Sequence, residues 1–260
     1  MRNFREEIVD GIWEILKEAS VSMSSKEEIS VEAPKNKEFG DYTTNIALKA
    51  AKGLHRKPMD VALDLQQRLV VKYPWIERIA VAEPGFVNLF LGDQCLYRVL
   101  TGPAADYEEI FSKKDVAAHW RGRLNILLEE AEFKGDLKDM QYVYSRIHSI
   151  LKLLREEGFK LEEAAEEQVV YGKTDLEKEV LRRLGDFSQY VEAAKKQDQP
   201  DEVLNYGIGL GKLFFKLHEK TLFRQLDRKQ LYGALRILEA MGLVIKTILE
   251  AFEIEAPERM

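Results

Sequence analysis

The feature that most constrains the fold is a change in hydrophobic periodicity near Met140. From that residue onward, apolar residues recur at three- and four-residue steps and no stretch alternates. Glycine or proline at four places suggests joints between helices, namely Gly158, Gly172, Gly185 and Pro200. The spacing therefore predicts an all-α helix bundle, with its later helices over residues 177–184, 186–196, 200–220 and 227–252.

The first 92 residues show a mixed pattern. Pro84-Gly85 separates two alternating runs, which predicts an antiparallel hairpin. We expect Asp41 or Thr43 to cap the helix that follows them. The predicted elements are a helix over 4–19, a strand over 28–33, a loop over 34–42, helices from Ile46 and Pro58, and strands over 76–82 and 86–91. The fold class is thus α+β: a small N-terminal α/β domain with a mainly antiparallel sheet, followed by the helix bundle.

Between these regions lies a segment of about fifty residues, with one helix predicted over residues 115–131. The expected domains are residues 1–92, a linker over 93–139 and the bundle over 140–260. Fifty residues cannot build a parallel nucleotide-binding sheet with its crossover helices.

Composition limits the classes of function. The formal net charge of -6 argues against binding through general phosphate attraction. The apolar runs are too short to span a bilayer, and the amphipathic, acid-containing N-terminus is unlike a signal peptide. The single cysteine, Cys95, cannot form an intrachain disulfide, which favours a cytoplasmic location without membrane partners.

Sequence motifs of catalytic or cofactor sites are missing. The chain has no His-Glu-x-x-His, no cysteine pair for zinc and no Gly-x-Ser-x-Gly. Gly207-Ile-Gly-Leu-Gly-Lys212 is similar to a fragment of a phosphate loop, but it lies within a helical pattern, where close helix packing explains it better. We expect no cofactor and no metal.

Three groups of residues can contact RNA. On the last predicted strand, Phe86, Asn88 and Phe90 share one face, so a ring could stack on a flipped-out base while the amide bonds to its edge. The alternative is that this face is core and Asn88 caps a turn.

A basic cluster near the end of the second predicted helix is the next group. It contains Lys49, Lys52, His55, Arg56 and Lys57. It is either an ordinary solvated face or a contact for an RNA backbone.

The third group lies at the start of the bundle. Tyr142 and Arg146 fall beside an apolar helical stripe, and their ring and guanidinium can stack on or bond to unpaired bases. The alternative is an ordinary bundle helix, in which Arg146 pairs with a carboxylate.

Two sets of motifs resemble arginyl-tRNA synthetases. Gln141-Tyr-x-x-x-Arg-x-x-Ser-Ile-Leu151 and the final Ala256-Pro-Glu-Arg-Met260 are similar to their anticodon-binding domain. Phe39-Gly-Asp-Tyr-Thr-Thr-Asn-Ile-Ala47, Lys57-Pro58 and Pro84-Gly-Phe-Val-Asn-Leu-Phe-Leu91 are similar to their additional N-terminal domain, in the same order.

The resemblance implies that the two domains bind different parts of a tRNA. The N-terminal domain would dock on the tRNA elbow and contact a D-loop base through Phe86 and Asn88. The bundle would hold the anticodon loop through Tyr142, Arg146 and Met260. A site at Met260 requires the chain terminus to be packed rather than frayed.

In that family a catalytic domain follows the N-terminal domain, whereas here only the short linker does. The four histidines stand alone, without the His-x-Gly-His element of class I synthetases. We therefore expect a protein that is not an enzyme and binds tRNA, arginine tRNA by resemblance, as an adaptor or regulator. A tRNA-processing enzyme or a synthetase would be its further partner. The alternative is a protein-interaction module derived from a synthetase, with no RNA binding.

Overall fold

A computed structural model describes residues 4–21, 23–34, 36–92, 100, 111, 118–161 and 174–260. The chain forms two compact units, one within Arg2–Arg98 and one within Val99–Met260. Each unit is described by itself. Cys95, Gly172 and the first three residues of the helix predicted over 115–131 lie outside the described residues.

The N-terminal unit is a three-stranded antiparallel sheet with helices on one face. Strand order is β1-β3-β2, so β3 is central. The elements are α1 (Phe4–Glu18), β1 (Tyr42–Thr44), α2 (Ile46–Leu54), α3 (Pro58–Lys72), β2 (Ile76–Ala82) and β3 (Phe86–Leu91), with short 3-10 helices at Lys26–Glu28 and Lys37–Phe39. The hairpin predicted around Pro84-Gly85 is confirmed.

Alternation along β3 decides which face of the sheet is buried. Val87 and Leu89 are fully buried and Leu91 nearly so. Helix α3 packs on this side with Leu65 and Leu69, both inaccessible to solvent. Since side chains alternate along a strand, the intervening residues of β3 must lie on the opposite, outer face.

Two local predictions in this unit are wrong. Residues 28–33 do not form a strand, because the Glu28 carboxylate accepts hydrogen bonds from the backbone N–H of Ser24 and Ser25 and holds a 3-10 turn. Only a single bridge, Glu32 to Thr43, remains of that pairing.

The cap of α2 also differs from the prediction. Thr44 Oγ1 accepts a hydrogen bond from the backbone N–H of Ile46 at 3.2 Å. Asp41 instead accepts one from the N–H of Leu91, and Thr43 bonds across the sheet. The β-branched Thr43 and Thr44 belong to β1, a strand that was not predicted: Tyr42 was assigned to the loop, and Thr43 and Thr44 to the approach to the helix.

Every regular element described in the C-terminal unit is a helix, so the predicted α+β fold class is confirmed. None of the helices that can be placed is both long and apolar enough to cross a membrane. The helices are α4 (Ala118–Leu127), α5 (Ala131–Glu156), α6 (Asp175–Gln197), α7 (Pro200–Lys220) and α8 (Arg228–Ala251), with a 3-10 helix at Phe223–Gln225.

Helix α6 runs through Gly185, where a joint was predicted. Leu184, Gly185 and Phe187 are all buried in the bundle. Burial of these neighbours stabilises the helix by more than the roughly 1 kcal/mol that an interior glycine costs. Gly158, by contrast, does end α5, with φ +92°.

Helix α4 is part of the C-terminal unit rather than a free linker. The Trp120 indole N–H donates to Asp198 Oδ1 at 2.9 Å, and its ring stacks on Phe252 with centroids 5.8 Å apart. Arg123 makes a two-pronged ion pair with Asp201 at the start of α7. Helix α4 therefore packs against the connection between α6 and α7 and against Phe252 at the end of α8.

Glycines in α7 allow close helix packing. A Cβ on Gly207 would lie 2.6 Å from Met140 Sδ and 3.1 Å from Ile248 Cδ1, and both neighbours are buried. Since the glycines lie inside a continuous helix, the packing explanation of Gly207–Lys212 is confirmed.

We expect Gly207→Val to lower the free energy of unfolding by about 1–3 kcal/mol, because its methyl groups would overlap Met140 and Ile248. Gly135→Val is the matched control: no atom lies within 4 Å of its added Cβ. The control should change stability by at most about 0.5 kcal/mol. Urea unfolding checks both, and equal effects would contradict the packing account.

Candidate nucleic-acid interface

The outer face of the N-terminal sheet carries Phe86, Asn88 and Phe90, as the alternation predicted. Phe86 is 36% exposed, so its ring is open to solvent. Asn88 is only 5% exposed, although it lies on the face opposite the core. Its direct cross-strand neighbours are Thr43 on β1 and Ala80 on β2.

Asn88 is held across the sheet rather than capping a turn. The Thr43 hydroxyl donates to Asn88 Oδ1 at 2.7 Å. Within the part of this unit that the structure describes, no acceptor bonds to Asn88 Nδ2. The contact with Thr43 thus engages one end of the amide, and the other end has no partner in that part of the unit.

Phe90 has a different role from Phe86. The Arg78 guanidinium lies over the Phe90 ring, 3.6 Å from its centroid. This cation–π contact occupies one face of Phe90. Phe86 is therefore the ring available for stacking, and the exposed Arg78 lies at the other end of the hairpin, beside Phe90.

The predicted basic cluster divides into engaged and unengaged cations. Lys49 donates to the backbone carbonyl of Glu28 at 3.1 Å. Arg56 bonds to the carbonyl of Asp60 and pairs with Asp64 at 3.6 Å. The other two lysines, Lys52 and Lys57, are exposed and have no ion pair among the residues whose placement is described.

The fold places Lys57 near Phe86. Gly85, at φ +147°, approaches so closely that an added Cβ would lie 2.9 Å from Pro58 Cβ. Lys57 precedes Pro58 and Phe86 follows Gly85. The structure thus brings two of the predicted RNA-contacting groups together.

In the C-terminal unit, Tyr142 stacks on Phe215 of α7. Their ring centroids are 6.2 Å apart and the rings are nearly parallel, at 12°. Both remain open to solvent, Tyr142 by 44% and Phe215 by 40%. Two exposed, parallel rings form a platform on which a further ring can stack.

Arg146 lies one helical turn beyond Tyr142, at the mouth of a groove of about 420 Å³. The groove runs between α5 and the connection from α7 to α8. Its lining is mostly apolar, and the charged side chains among it are Arg146, Arg224 and the acidic Glu157. His218 also lines it, and its pKa lies below the ordinary value because burial disfavours the charged form and Arg146 repels it.

The C-terminal tail lies against another side of α5. Gln141 Nε2 donates to the carbonyl of Glu255 at 2.8 Å, and His148 Nε2 lies 3.7 Å from Glu258 Oε1. At about 100° per residue, Gln141 and His148 are on a different face from Tyr142 and Arg146. The tail is thus anchored up to Glu258.

A binding site at Met260 would require the chain terminus to be packed, and it is not. Its side chain is 66% exposed, not packed. The reason is that the tail's anchors end at Glu258, two residues earlier.

Residue patterns missed four members of these surfaces: Thr43, Arg78, Phe215 and His218. In the strand register Arg78 lies opposite Phe90, and Thr43 lies opposite Asn88. A prediction of the register would therefore have placed both residues beside the predicted ones. Phe215 and His218 lie on a helix far away in sequence, and no local signal pairs them with Tyr142 and Arg146.

No cluster of three or more histidine, cysteine or carboxylate side chains able to hold a metal occurs among the described residues.

Two family models match this chain. The arginyl tRNA synthetase N terminal domain matches residues 6–91, and the DALR anticodon binding domain matches residues 140–260. The two domains stand in the order that the motifs indicated, with only residues 92–139 between them. The 260 residues thus contain no catalytic domain of that family.

Curated arginine–tRNA ligases are similar over part of the chain. The protein of Acetivibrio thermocellus is 32% identical over 99 residues, 38% of this chain and 18% of its own length. That of Thermotoga maritima is 36% identical over 96 residues, 37% of this chain and 16% of its own. The ligase of Staphylococcus carnosus is 33% identical over 112 residues, which are 42% of this chain and 19% of its own length. The chain spans less than a fifth of these relatives.

We expect Arg146→Gln to raise the pKa of His218, because it removes the repelling charge while burial remains. An NMR titration of the His218 ring measures this shift. In the wild type, the lowered pKa of the folded state means that stability is full above about pH 6.5 and falls as His218 becomes protonated. Lys212→Gln, which removes a cation paired with Asp136, is the control and should leave the pKa of His218 unchanged. An unchanged His218 pKa in Arg146→Gln would show that the two side chains are not close to each other.

Proposed function

We propose that this chain, which carries the N terminal and DALR anticodon binding domains of the arginyl-tRNA synthetase family, is a non-catalytic tRNA-binding protein. One observation carries the proposal. Each of the two matched domains presents an exposed aromatic ring, Phe86 in one and Tyr142 in the other, near cations. Rings that stack on unpaired bases beside cations that meet phosphates are the usual components of a site for single-stranded RNA.

The N-terminal unit would hold a flipped-out base of the D-loop. Phe86 stacks on the base and Asn88 bonds to its edge. Lys52 and Lys57 contact the neighbouring phosphates, since they are exposed and not engaged within the unit. Lys49 and Arg56 already have partners and contribute less.

The C-terminal unit would hold the anticodon loop. A base stacks on the platform of Tyr142 and Phe215, and Arg146 contacts the next phosphate or base edge. Met260 is exposed and would become ordered only when RNA is bound. The family supports arginine tRNA as the ligand.

We infer the biological role from residues 92–139, which take the place of a catalytic domain. A protein that binds tRNA without charging it acts as an adaptor, which presents tRNA to a processing enzyme or synthetase, or as a regulator that competes for it. We place this activity in the cytoplasm, where tRNA is used. No aminoacylation is expected, since residues 92–139 cannot supply a nucleotide-binding sheet.

A second function is favoured by one observation. Leu153 and Leu222, beside the groove with Arg146, are 51% and 60% exposed. Exposed leucines around an apolar groove suit a protein partner. In that case the wild type would bind no tRNA at moderate salt, and Leu222→Asp would abolish partner binding.

The main test measures binding of arginine tRNA transcripts by fluorescence anisotropy. Phe86→Ala and Tyr142→Ala should each lower affinity by about 1–3 kcal/mol, because each removes one stacked ring. Val71→Ala and Ile126→Ala are matched controls, since they truncate exposed apolar side chains of the same two units, on α3 and α4. Loss of affinity in the controls alone, or in no variant, would refute the proposal.

Salt dependence tests the phosphate contacts separately. Lys52→Ala with Lys57→Ala should reduce the slope of log K against log salt by about 1–2, because each lysine releases roughly one counterion on binding. Lys26→Ala is the control, since its ammonium lies 2.6 Å from Asp10. A slope that is the same in all three proteins would place the RNA elsewhere.

A further inference from the structure

We propose that the groove between α5 and the connection from α7 to α8 is a docking site for an amphipathic helix of a partner protein, with aliphatic residues on one face and carboxylates beside them. Arg146 belongs both to this groove and to the proposed anticodon site, so the partner helix and the anticodon loop would exclude each other. The docking rests on the groove itself, whereas the mutual exclusion rests on the proposed function. The protein would then be a regulator whose C-terminal unit releases RNA when the partner binds.

The α5 wall of the groove is a straight stripe of side chains. Four members of the lining are spaced by four, three and four residues along the helix, namely Arg146, Ile150, Leu153 and Glu157. This spacing places them on one helix face, and at 1.5 Å per residue the stripe is about 16 Å long. His218 and the connection after α7 line the other side. The groove therefore has room for about three turns of a docked helix.

Two leucines leave apolar surface open at this groove. Leu153 on α5 is 51% exposed and Leu222 on the connection is 60% exposed, and both line the same cavity of about 420 Å³. Single exposed apolar side chains are common on proteins, but two that border one mostly apolar hollow mark a contact surface. An RNA backbone would bring charged phosphates against these apolar walls, which costs free energy. A protein segment therefore suits the groove better than RNA does.

The backbone of the walls favours a helical occupant over an extended one. An extended peptide binds by adding to an open strand edge. Here α5 is a continuous helix over Ala131–Glu156, and in the connection the N–H of Gln225 donates to the carbonyl of Leu222 at 2.8 Å. A helix satisfies its own backbone groups and needs mainly apolar contacts from a groove.

Charge decides which amphipathic helix fits. Arg146 and Arg224 are exposed and have no ion pair among the described residues. Glu157 is the one acidic residue in the described lining, so the groove carries a surplus of positive charge in a chain of net charge -6. Burial and the charge of Arg146 both hold the pKa of His218 below its ordinary value. Carboxylates on the partner helix would pair with the two arginines and offset the repulsion that His218 experiences.

The experiment uses the full chain and a labelled synthetic peptide of about fifteen residues, with leucines spaced as in the α5 stripe and glutamates beside them. Fluorescence anisotropy should show saturable binding to the wild type. Leu153→Asp and Leu222→Asp should each weaken it at least about tenfold, because each places a charge on an apolar wall. Ile126→Asp is the matched control and should leave peptide binding unchanged, since Ile126 is a 56% exposed aliphatic side chain on α4 of the same unit.

Two altered peptides test the chemistry of the partner. A peptide with lysine at every glutamate position should bind at least about tenfold more weakly, and Arg146→Gln with Arg224→Gln should remove most of that preference. A peptide with proline at its centre cannot form a continuous helix and should also lose at least about tenfold. In an NMR titration the acidic peptide should raise the pKa of His218 in the wild type and not in Leu222→Asp.

Mutual exclusion is measured with an anticodon stem-loop transcript of arginine tRNA. With the acidic peptide at about ten times its dissociation constant, the affinity for the stem-loop should fall about tenfold, as mass action requires of competing ligands. The proline-containing peptide at the same concentration should leave that affinity unchanged.

Several results would overturn the docking site. These are an acidic peptide that does not bind, binding that both aspartate variants retain, and a lysine peptide that binds as tightly as the acidic one. Aspartate variants that weaken stem-loop binding and not peptide binding would assign the groove to RNA, which also overturns it. Thermal unfolding of each variant distinguishes a lost contact from a lost fold.

The remaining outcomes separate this inference from the proposed function. A stem-loop affinity that saturating peptide leaves unchanged would overturn the mutual exclusion. A wild type that binds the acidic peptide but no RNA overturns the proposed function, and the mutual exclusion with it, while it supports the docking site.

Discussion

Burial of one face of β3 is the constraint on which the N-terminal site depends. Val87 and Leu89 must face the helices, so the period of two along a strand forces Phe86, Asn88 and Phe90 outward. A register shift of one residue would reverse this and destroy both the core and the site. The same register places Thr43 against Asn88 and Arg78 over Phe90, so each contact around the amide follows from one buried strand face.

Helix α5 plays the equivalent part in the C-terminal unit. Its apolar stripe, with Val143 and Ile147 buried to 0–1% exposure, fixes the rotation of the helix. One flank then meets α7, where Tyr142 stacks on Phe215, and another meets the C-terminal tail through Gln141. In both units, then, a rigid element anchored by its core face presents an aromatic ring that its neighbours leave partly open.

The sequence predicted those features that depend on periodicity alone. Alternation was enough to place Phe86 outward and to find the hairpin, and helical spacing was enough to find the bundle. It failed where a local hydrogen bond or tertiary packing competed with the pattern. The Glu28 carboxylate accepts a hydrogen bond from the Ser24 N–H, which prevents a strand at 28–33. Burial of its neighbours keeps α6 continuous through Gly185. Phe215 could not be found at all, because its contact with Tyr142 depends on how two distant helices pack.

Net charge decides how such a protein can hold RNA. At -6, the chain as a whole repels a polyanion, so long-range attraction contributes little and short-range contacts must supply the affinity. The structure is consistent with this, since Lys49 and Arg56 are engaged within the fold, while Lys52 and Lys57 are exposed and have no ion pair among the described residues. Because attraction by the chain as a whole is weak, each stacked ring would account for a larger share of binding than in a basic protein.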